Sequence, residues 1–170
     1  MTRKFVFEER DASSVQQATL CFLIKKDKIL LAMKKRGFGK GKWNGLGGKV
    51  DDGEKIEEAM VRESKEEVGI KPVKFKKVAV LHFYFPAIPK EEGWDQDVHV
   101  HFCDDWEGEP FESDEMKPKW FSIDNIPYDE MWDDDELWLP RVLKGEKIEA
   151  WFAFDMDNEK TIAHKIETMK

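Results

Sequence analysis

The chain has 170 residues, 41% of them hydrophobic, which is enough to bury the core of a single domain covering residues 1–170. A net charge of -8 argues against a nucleic-acid polymer as partner, because that interaction requires a basic surface that releases counterions. The N-terminus is charged and no apolar run reaches roughly 18 residues, so we expect a soluble, unexported, cytoplasmic protein with no membrane partner.

The first part of the chain predicts an arm, a hairpin and a basic loop. Residues 1–16 are polar and weakly patterned, which is typical of an arm or an edge strand. Apolar runs at 18–24 and 29–33 flank a Lys-Lys-Asp-Lys turn and predict a β-hairpin. Residues 34–42 then carry five cations, three glycines and no acid. Such a loop could bring backbone and positive charge to a triphosphate, or it could be only a flexible basic loop.

The next stretch predicts a helix that begins near Gly53-Glu54 and ends at Gly69. Its packing face consists of Met60, Val61, Ser64 and Val68. Its acidic face lies within an arc of about 100° and consists of Glu63, Glu66 and Glu67. Like charges at this spacing destabilise a helix, whereas oxygen ligands that converge from one side suit Mg²⁺ or Mn²⁺. A solvated acidic face is the alternative.

The remaining chain predicts strands and a second helix. Strand-like patterns cover residues 73–85, 98–103, 119–123, 148–154 and 161–166. The second helix begins at Asp133–Asp135, which could cap it, and runs until Gly145. Mixed strands with two principal helices indicate an α/β or α+β domain.

Several side chains in these strands have a predicted environment. Phe83 and Phe85 share one strand face, and residues 86–97 form a long loop after them. His99 and His101 are not expected to bind metal, because a hard cation prefers oxygen ligands. We expect Cys21 and Cys103 to be free, buried thiols.

The spacing of the helical segment carries a family resemblance. Gly48, Glu54, Arg62-Glu63, Glu66-Glu67, Gly69 and Ile70 stand at the positions of the Nudix box, so the segment resembles that of the Nudix hydrolases. These enzymes cleave nucleoside diphosphates linked to another group. Ser64 departs from the pattern, where an aliphatic residue usually follows the Arg-Glu pair. Because Ser64 lies on the packing face, this departure concerns packing more than metal binding.

Other segments narrow the resemblance. MKKRGFGKGKWNGLGGKV, DVHVHFC, ESDEMKPKWF and EMWDDDELW are similar to the oxidised purine nucleoside triphosphate hydrolases, the MutT-homologue branch. This implies the Nudix fold, a mixed β-sheet sandwiched between α-helices. It also implies Mg²⁺-dependent hydrolysis of 8-oxo-dGTP or 2-oxo-dATP type nucleotides to the monophosphate and pyrophosphate, which sanitises the nucleotide pool.

The resemblance also implies which residues form the site. The metal ligands would be Gly47, Glu63, Glu66, Glu67 and Glu115, and the catalytic groups Glu63, Glu66 and Glu67. The substrate contacts would be Thr19, Lys34, Phe38, Asn44, Leu46, Gly47, Gly48, Lys49, Phe83, Trp132, Asp134 and Asp135. Arg62 would be structural and would pair with Glu66. Asp133 replaces a usual proline and would add a third carboxylate beside the base-reading pair.

Two other functions stay open at this point. The chain could hydrolyse another nucleotide, such as ADP-ribose, a dinucleoside polyphosphate or an ordinary triphosphate, or it could bind a nucleotide without cleaving it. The complete set of box carboxylates argues against a non-catalytic module. We expect a monomer whose partner is a small nucleotide.

Overall fold

A mixed β-sheet runs through the fold of the computed structural model, which describes residues 5–169. Across these residues the chain forms eight strands and two α-helices. In chain order they are β1 (Gln16–Lys25), β2 (Lys28–Lys34), β3 (Trp43–Asn44), α1 (Ile56–Val68), β4 (Lys71–Tyr84), β5 (Gln96–Glu107), β6 (Met116–Ser122), α2 (Asp135–Leu143), β7 (Ile148–Phe154) and β8 (Thr161–Thr168). The predicted hairpin, basic loop, strands and helices are all confirmed, with small shifts at their ends.

The strand order is β3-β2-β1-β5-β4-β7-β8, and β6 also pairs with β2. Strand β1 is parallel to β5, and β4 is parallel to β7, whereas the other pairs are antiparallel. The register places Thr19 beside His99 and Phe83 beside Phe152. This pairing brings the ends of β1, β4 and β7 to the same region of the molecule.

Two hydrophobic layers enclose the sheet. On one face Trp138 and Leu139 of α2 pack with Phe22, Leu81 and Phe152. On the other face Met60 and Val68 of α1 pack with Cys21, Leu23, Leu30 and Leu46. A mixed sheet between helices confirms the predicted fold class. Cys21 and Cys103 are both buried and free, as predicted.

Helix α1 ends at Gly69 as predicted, because this residue adopts a left-handed conformation with φ 74° and donates its N–H to the Lys65 carbonyl at 3.0 Å. The helix begins at Ile56, slightly later than predicted. The preceding residues form a turn in which the Glu54 N–H donates to the Asp51 carbonyl at 3.0 Å. Ser64 is fully buried and donates to the Met60 carbonyl at 2.8 Å, so its hydroxyl is satisfied inside the packing face.

Neither α-helix of residues 5–169 is long and apolar enough to cross a membrane.

Candidate active site

A cavity of about 280 Å³ opens where β1, β2 and β4 meet the basic loop and the start of α2. Its lining includes Thr19, Lys34, Phe38, Asn44, Gly47, Gly48, Lys49, Phe83, Trp132, Asp134 and Asp135. These are the substrate-contact residues of the sequence-based prediction, with one exception. The structure therefore brings together side chains that are far apart in the chain.

The exception is Leu46, which does not line the cavity. Its side chain is 1% exposed and packs in the layer beneath α1. Its backbone N–H donates to the Cys21 carbonyl at 2.8 Å, and its carbonyl accepts the Cys21 N–H. Since both backbone groups pair with β1 and the side chain packs beneath α1, Leu46 does not line the cavity. Leu46 was predicted from the family resemblance, and the local sequence did not reveal its pairing with β1.

Two glycines let the carboxylates of α1 approach the backbone closely. The Gly47 N–H donates to Glu67 Oε1 at 3.0 Å, and a Cβ atom on Gly47 would lie 1.9 Å from the Thr19 carbonyl oxygen. A Cβ atom on Gly48 would lie 2.6 Å from the Glu63 carboxyl carbon. A larger residue at position 47 would therefore have to displace the backbone of β1, whereas one at position 48 would have to displace the Glu63 carboxylate.

Glu67 is buried with one unsatisfied oxygen. The residue is 2% exposed, and its Oε2 has no hydrogen-bond partner among the described residues. Burial raises the pKa of Glu67 to about 8, and the charges of Glu63 and Glu115 act in the same direction. A buried carboxylate with a free oxygen is a position where a cation would be stabilised.

The hydroxyl of Thr19 is a second buried group without a partner in residues 5–169. Thr19 lines the cavity beside Gly47 and Gly48, and its backbone N–H donates to the Gly48 carbonyl at 2.9 Å. The Oγ1 atom is thus free to bond a ligand group.

Arg62 pairs with Glu66 as predicted, and it binds Glu54 more closely. Its Nε lies 2.8 Å from Glu54 Oε2 and its Nη2 lies 3.0 Å from Glu54 Oε1, a bidentate contact. Nη1 donates to Glu63 at 3.0 Å, and the distance to Glu66 is 3.4 Å. The hydrogen bonds from Arg62 hold the pKa of Glu54 at about 2. Arg62 therefore ties the turn before α1 to the acidic face.

Glu115 comes to the same site from the segment before β6. Its carbonyl accepts the Lys35 N–H at 2.8 Å, and its carboxylate lies 3.4 Å from Arg36. The segment is thereby attached to the basic loop. Within residues 5–169, no group of three Asp, Glu, His or Cys side chains has converged into a metal-binding arrangement. In this structure Arg62 pairs with Glu63 and Glu66, and Arg36 pairs with Glu115.

The donor set nevertheless fits a hard divalent cation. Glu67 Oε2 is buried and has no partner within residues 5–169, and the predicted ligands are all oxygens. Gly47 and Gly48 add no side chain there. His99 lies outside this group, since its Nε2 contacts Gln17 Oε1 at 2.8 Å.

The opposite end of the cavity is built around Trp132. Its ring packs against Gly39, where a Cβ atom would lie 3.1 Å from Trp132 Cζ2. Lys42 Nζ lies 5.1 Å from the centre of the same ring. Asn44 accepts the Gly45 N–H on Oδ1 at 2.8 Å, so its amide group is left to donate.

Asp134 and Asp135 lie beside this ring and are both almost fully buried. Asp134 Oδ2 accepts the Trp138 Nε1–H at 2.9 Å, whereas Asp135 Oδ2 has no partner among the described residues. Burial raises the pKa of Asp134 to about 6, and burial together with the Asp134 charge raises the pKa of Asp135 well above its usual value. The pair can therefore hold a proton at neutral pH, which gives the cavity a donor next to an acceptor.

These aspartates do not cap α2. Asp134 occupies the N-cap position in an αR conformation and makes no side-chain capping hydrogen bond. Asp133 Oδ2 instead accepts the backbone N–H and the hydroxyl of Thr161, both at 2.9 Å. Asp133 was expected to add a third carboxylate to the base-reading pair, but its carboxylate bonds to β8 and does not line the cavity.

The structure adds cavity residues that the sequence reading missed. Phe85, Phe154 and Lys42 all line the cavity. Phe85 could have been found, since it shares a strand face with Phe83 and stacks on Phe154 at 5.1 Å between ring centres. Phe154 lies at the end of a distant strand, and no local pattern marked it.

The fold and the site are those of a nucleotide hydrolase. The chain belongs to the NUDIX domain family, whose model it matches over residues 15–142. Nudix hydrolases generally use a divalent metal. The chain is 43% identical over 152 residues to the oxidized purine nucleoside triphosphate hydrolase of Danio rerio, covering 89% of this chain and 94% of that protein. It is likewise 43% identical over 136 residues to the protein of the same name from Mus musculus, covering 80% of this chain and 85% of that one.

The fold is similar to that of a Mutator MutT protein from Bacillus halodurans, solved by crystallography. The TM-score is 0.74 at 23% identity, and the match covers 90% of this chain and 98% of that one. The similarity supports the fold described above.

Proposed function

We propose that this chain hydrolyses oxidised purine nucleoside triphosphates to the monophosphate and pyrophosphate. The observation that carries the proposal is one cavity with two different ends. At one end Gly47 and Gly48 line the cavity, and the Gly47 N–H holds the buried carboxylate of Glu67 behind them. At the other end Asp134 and Asp135 lie next to Trp132. The two relatives named oxidized purine nucleoside triphosphate hydrolases support this substrate class.

The proposed cofactor is Mg²⁺, with Mn²⁺ as a substitute. Glu67, Glu63, Glu66, Glu115 and the Gly47 carbonyl would hold it. Such an ion, when bound, neutralises phosphate charge and supplies the Lewis acidity that activates water for attack on phosphorus. Glu63 and Glu66, which lie 3.0 and 3.4 Å from Arg62, would have to exchange this partner for the cation.

The phosphate end of the reaction depends on the basic loop and on the backbone. Lys34 lines the cavity, and Thr19 offers an unpaired hydroxyl there. A triphosphate bound between them meets positive charge and hydrogen-bond donors, so the bridging P–O bond that breaks is held in place. The attacking water gives its proton to Glu63 or Glu66, and pyrophosphate leaves.

The base end reads the edge of the purine. Oxidation at C8 turns N7 from an acceptor into a donor, and a pair of aspartates that shares a proton can accept there and donate at a neighbouring position. Asn44 adds an amide donor, and Trp132 can stack on the ring. All of these groups come from one chain, which is consistent with the proposed monomer.

A substrate panel tests the proposal. The purified protein is incubated with 8-oxo-dGTP, 2-oxo-dATP, dGTP, dATP, ADP-ribose and a dinucleoside polyphosphate, and released pyrophosphate and phosphate are measured separately. We expect kcat/KM to be highest for an oxidised purine triphosphate, with pyrophosphate as product. A higher value for ADP-ribose or for an unmodified triphosphate would refute the substrate assignment, and nucleotide binding without any hydrolysis would indicate a binding module.

A further inference from the structure

Five aromatic side chains at the cavity contact one another in a closed cycle, and Trp94 is one of them. The ring centres of Phe38 and Trp132 lie 5.0 Å apart, as do those of Phe38 and Trp94. Trp94 lies 5.6 Å from Phe85, which stacks on Phe154 at 5.1 Å. Phe154 closes the cycle 6.5 Å from Trp132. The other four rings line the cavity, whereas Trp94 lies outside the lining and contacts Phe38 and Phe85.

Phe38 depends on such support more than the other rings. It lies in the glycine-rich basic loop, between Gly37 and Gly39, whose φ angles are 81° and 88°. It is 55% exposed. Within the described chain its aromatic contacts are Trp132 on one side and Trp94 on the other. Without Trp94, Phe38 would be packed against a single ring.

Trp94 is held in turn by the residue that follows it. Asp95 Oδ1 accepts the Phe85 N–H at 2.9 Å, and Asp95 Oδ2 lies 3.3 Å from Arg10 Nη1. Arg10 also donates to the Phe83 carbonyl at 2.9 Å and to Asp97 at 2.9 Å. The loop that carries Trp94 is therefore attached both to the end of β4 and to the N-terminal segment.

We infer that Trp94 is a positioning residue for nucleotide binding, which keeps Phe38 at the cavity mouth and is itself fixed by Asp95 and Arg10. The inference rests on the proposed function in so far as the bound group is the flat base of a nucleotide. It gives the long loop of residues 86–95 a role in base binding and none in phosphate chemistry. The aromatic rings that would contact the base are Phe38 and Trp132, and Trp94 acts through Phe38.

The test compares Trp94→Ala, Trp94→Phe and Trp106→Ala with the wild-type protein. Trp106 is a matched control, because its ring packs on Trp120 at 5.8 Å in the layer beneath α1, away from the cavity. We expect Trp94→Ala to raise KM for 8-oxo-dGTP by about 10-fold, with kcat within about 2-fold, as the loss of aromatic contacts predicts. Trp94→Phe restores KM to within about 3-fold, because a smaller ring still contacts Phe38.

Inhibition by pyrophosphate, which lacks a base, reports on phosphate binding alone and so distinguishes an effect on phosphate binding from an effect on base positioning. Its inhibition constant should be the same in Trp94→Ala and in the wild type. An unchanged KM in a Trp94→Ala protein with normal circular dichroism would overturn the inference. So would an equal rise in KM and in the pyrophosphate inhibition constant, because the effect would then lie in the basic loop.

Arg10→Gln provides a second route to the same result, should Trp94→Ala fail to fold. It removes the contacts to Asp95 and Phe83 without deleting any ring. Trp94 is then no longer fixed, so KM should rise while kcat holds. An unchanged KM in this variant would count against the inference. If the wild type prefers another nucleotide, the proposed substrate is wrong. The same variants are then compared on that nucleotide, and their KM values still decide the role of Trp94.

Discussion

The backbone N–H of Gly47 donates to Glu67 Oε1 at 3.0 Å, while Oε2 of the same buried carboxylate has no partner among residues 5–169. One oxygen is thus fixed by the backbone, and the other is left for a ligand. This orientation depends on glycine, because a side chain at position 47 would collide with the Thr19 carbonyl. The hydrogen bond therefore orients the Glu67 carboxylate against Gly47, which lines the cavity.

Glu67→Gln should keep the fold and remove most of the activity. The amide oxygen can still accept the Gly47 N–H, but the charge that would hold a cation is lost. We expect kcat to fall by at least about 100-fold. Without metal, the melting temperature should hold near neutral pH and rise relative to the wild type above about pH 8, where the wild-type Glu67, with its pKa of about 8, has to ionise while buried.

Glu58→Gln is the control for this change, since Glu58 is exposed on the same helix. It should leave kcat and the melting temperature near the wild-type values. Near-normal turnover of Glu67→Gln at saturating Mg²⁺ would contradict the assignment of Glu67 as a ligand.

Metal selectivity should follow the oxygen ligands. We expect Mg²⁺ and Mn²⁺ to support turnover and to raise the melting temperature, and Zn²⁺ to be a poor substitute, because the proposed ligands include no Cys or His. Differential scanning fluorimetry with each ion, on the wild type and on Glu67→Gln, measures binding apart from activity. Full activity in excess chelator would rule out the proposed cofactor.

Asp134→Asn should reduce the selectivity of the enzyme for the oxidised base. Asp134 accepts the Trp138 Nε1–H and lies in the buried pair that presents donor and acceptor to the cavity. We expect kcat/KM for 8-oxo-dGTP to fall by ~10 to 100-fold and the preference over dGTP to shrink. A loss of stability with an unchanged ratio of oxidised to normal substrate would show that the pair serves only the fold.

Asp135→Asn should stabilise the protein increasingly as pH rises. The pKa of Asp135 is raised well above its usual value in the folded state, and that of Asp134 to about 6, whereas an unfolded aspartate titrates near ~3.9. Between the unfolded and the folded pKa of Asp135, the folded wild type binds more protons than the unfolded chain. The free energy of unfolding of the wild type therefore falls as pH rises. The difference in melting temperature, variant minus wild type, should therefore grow from about pH 5 to pH 8. A constant difference would mean that Asp135 ionises normally.

Asp133→Ala should affect stability and leave base selectivity unchanged. The carboxylate accepts two hydrogen bonds from Thr161 at the start of β8 and is outside the cavity lining. Because the side chain is 25% exposed, we expect a loss of about 1 kcal/mol in the unfolding free energy. Thr161→Val, which removes one of the two bonds, should cost less. A change in the ratio of kcat/KM for 8-oxo-dGTP and dGTP would instead place Asp133 in base recognition.

The sequence by itself determined the elements and the chemical character of the site. Helical periodicity separated the packing face around Met60 from the acidic face around Glu67, and Gly69 marked where α1 ends. These features depend on residues a few positions apart, within one turn or one strand, so local spacing is enough to predict them. The cluster of oxygen ligands beside a basic, glycine-rich loop followed from the same local reading.

Only the tertiary structure decided how these groups meet. Arg62 lies closer to Glu54 than to Glu66. The backbone of Leu46 pairs with that of Cys21, and Asp133 accepts hydrogen bonds from Thr161. Each partner lies outside the element that carries the residue. Likewise, Trp94 and Phe154 join the rings around the cavity because β4, β5 and β7 are neighbours in the sheet. Strand order and loop path are set by long-range packing, and no local period in the sequence encodes them.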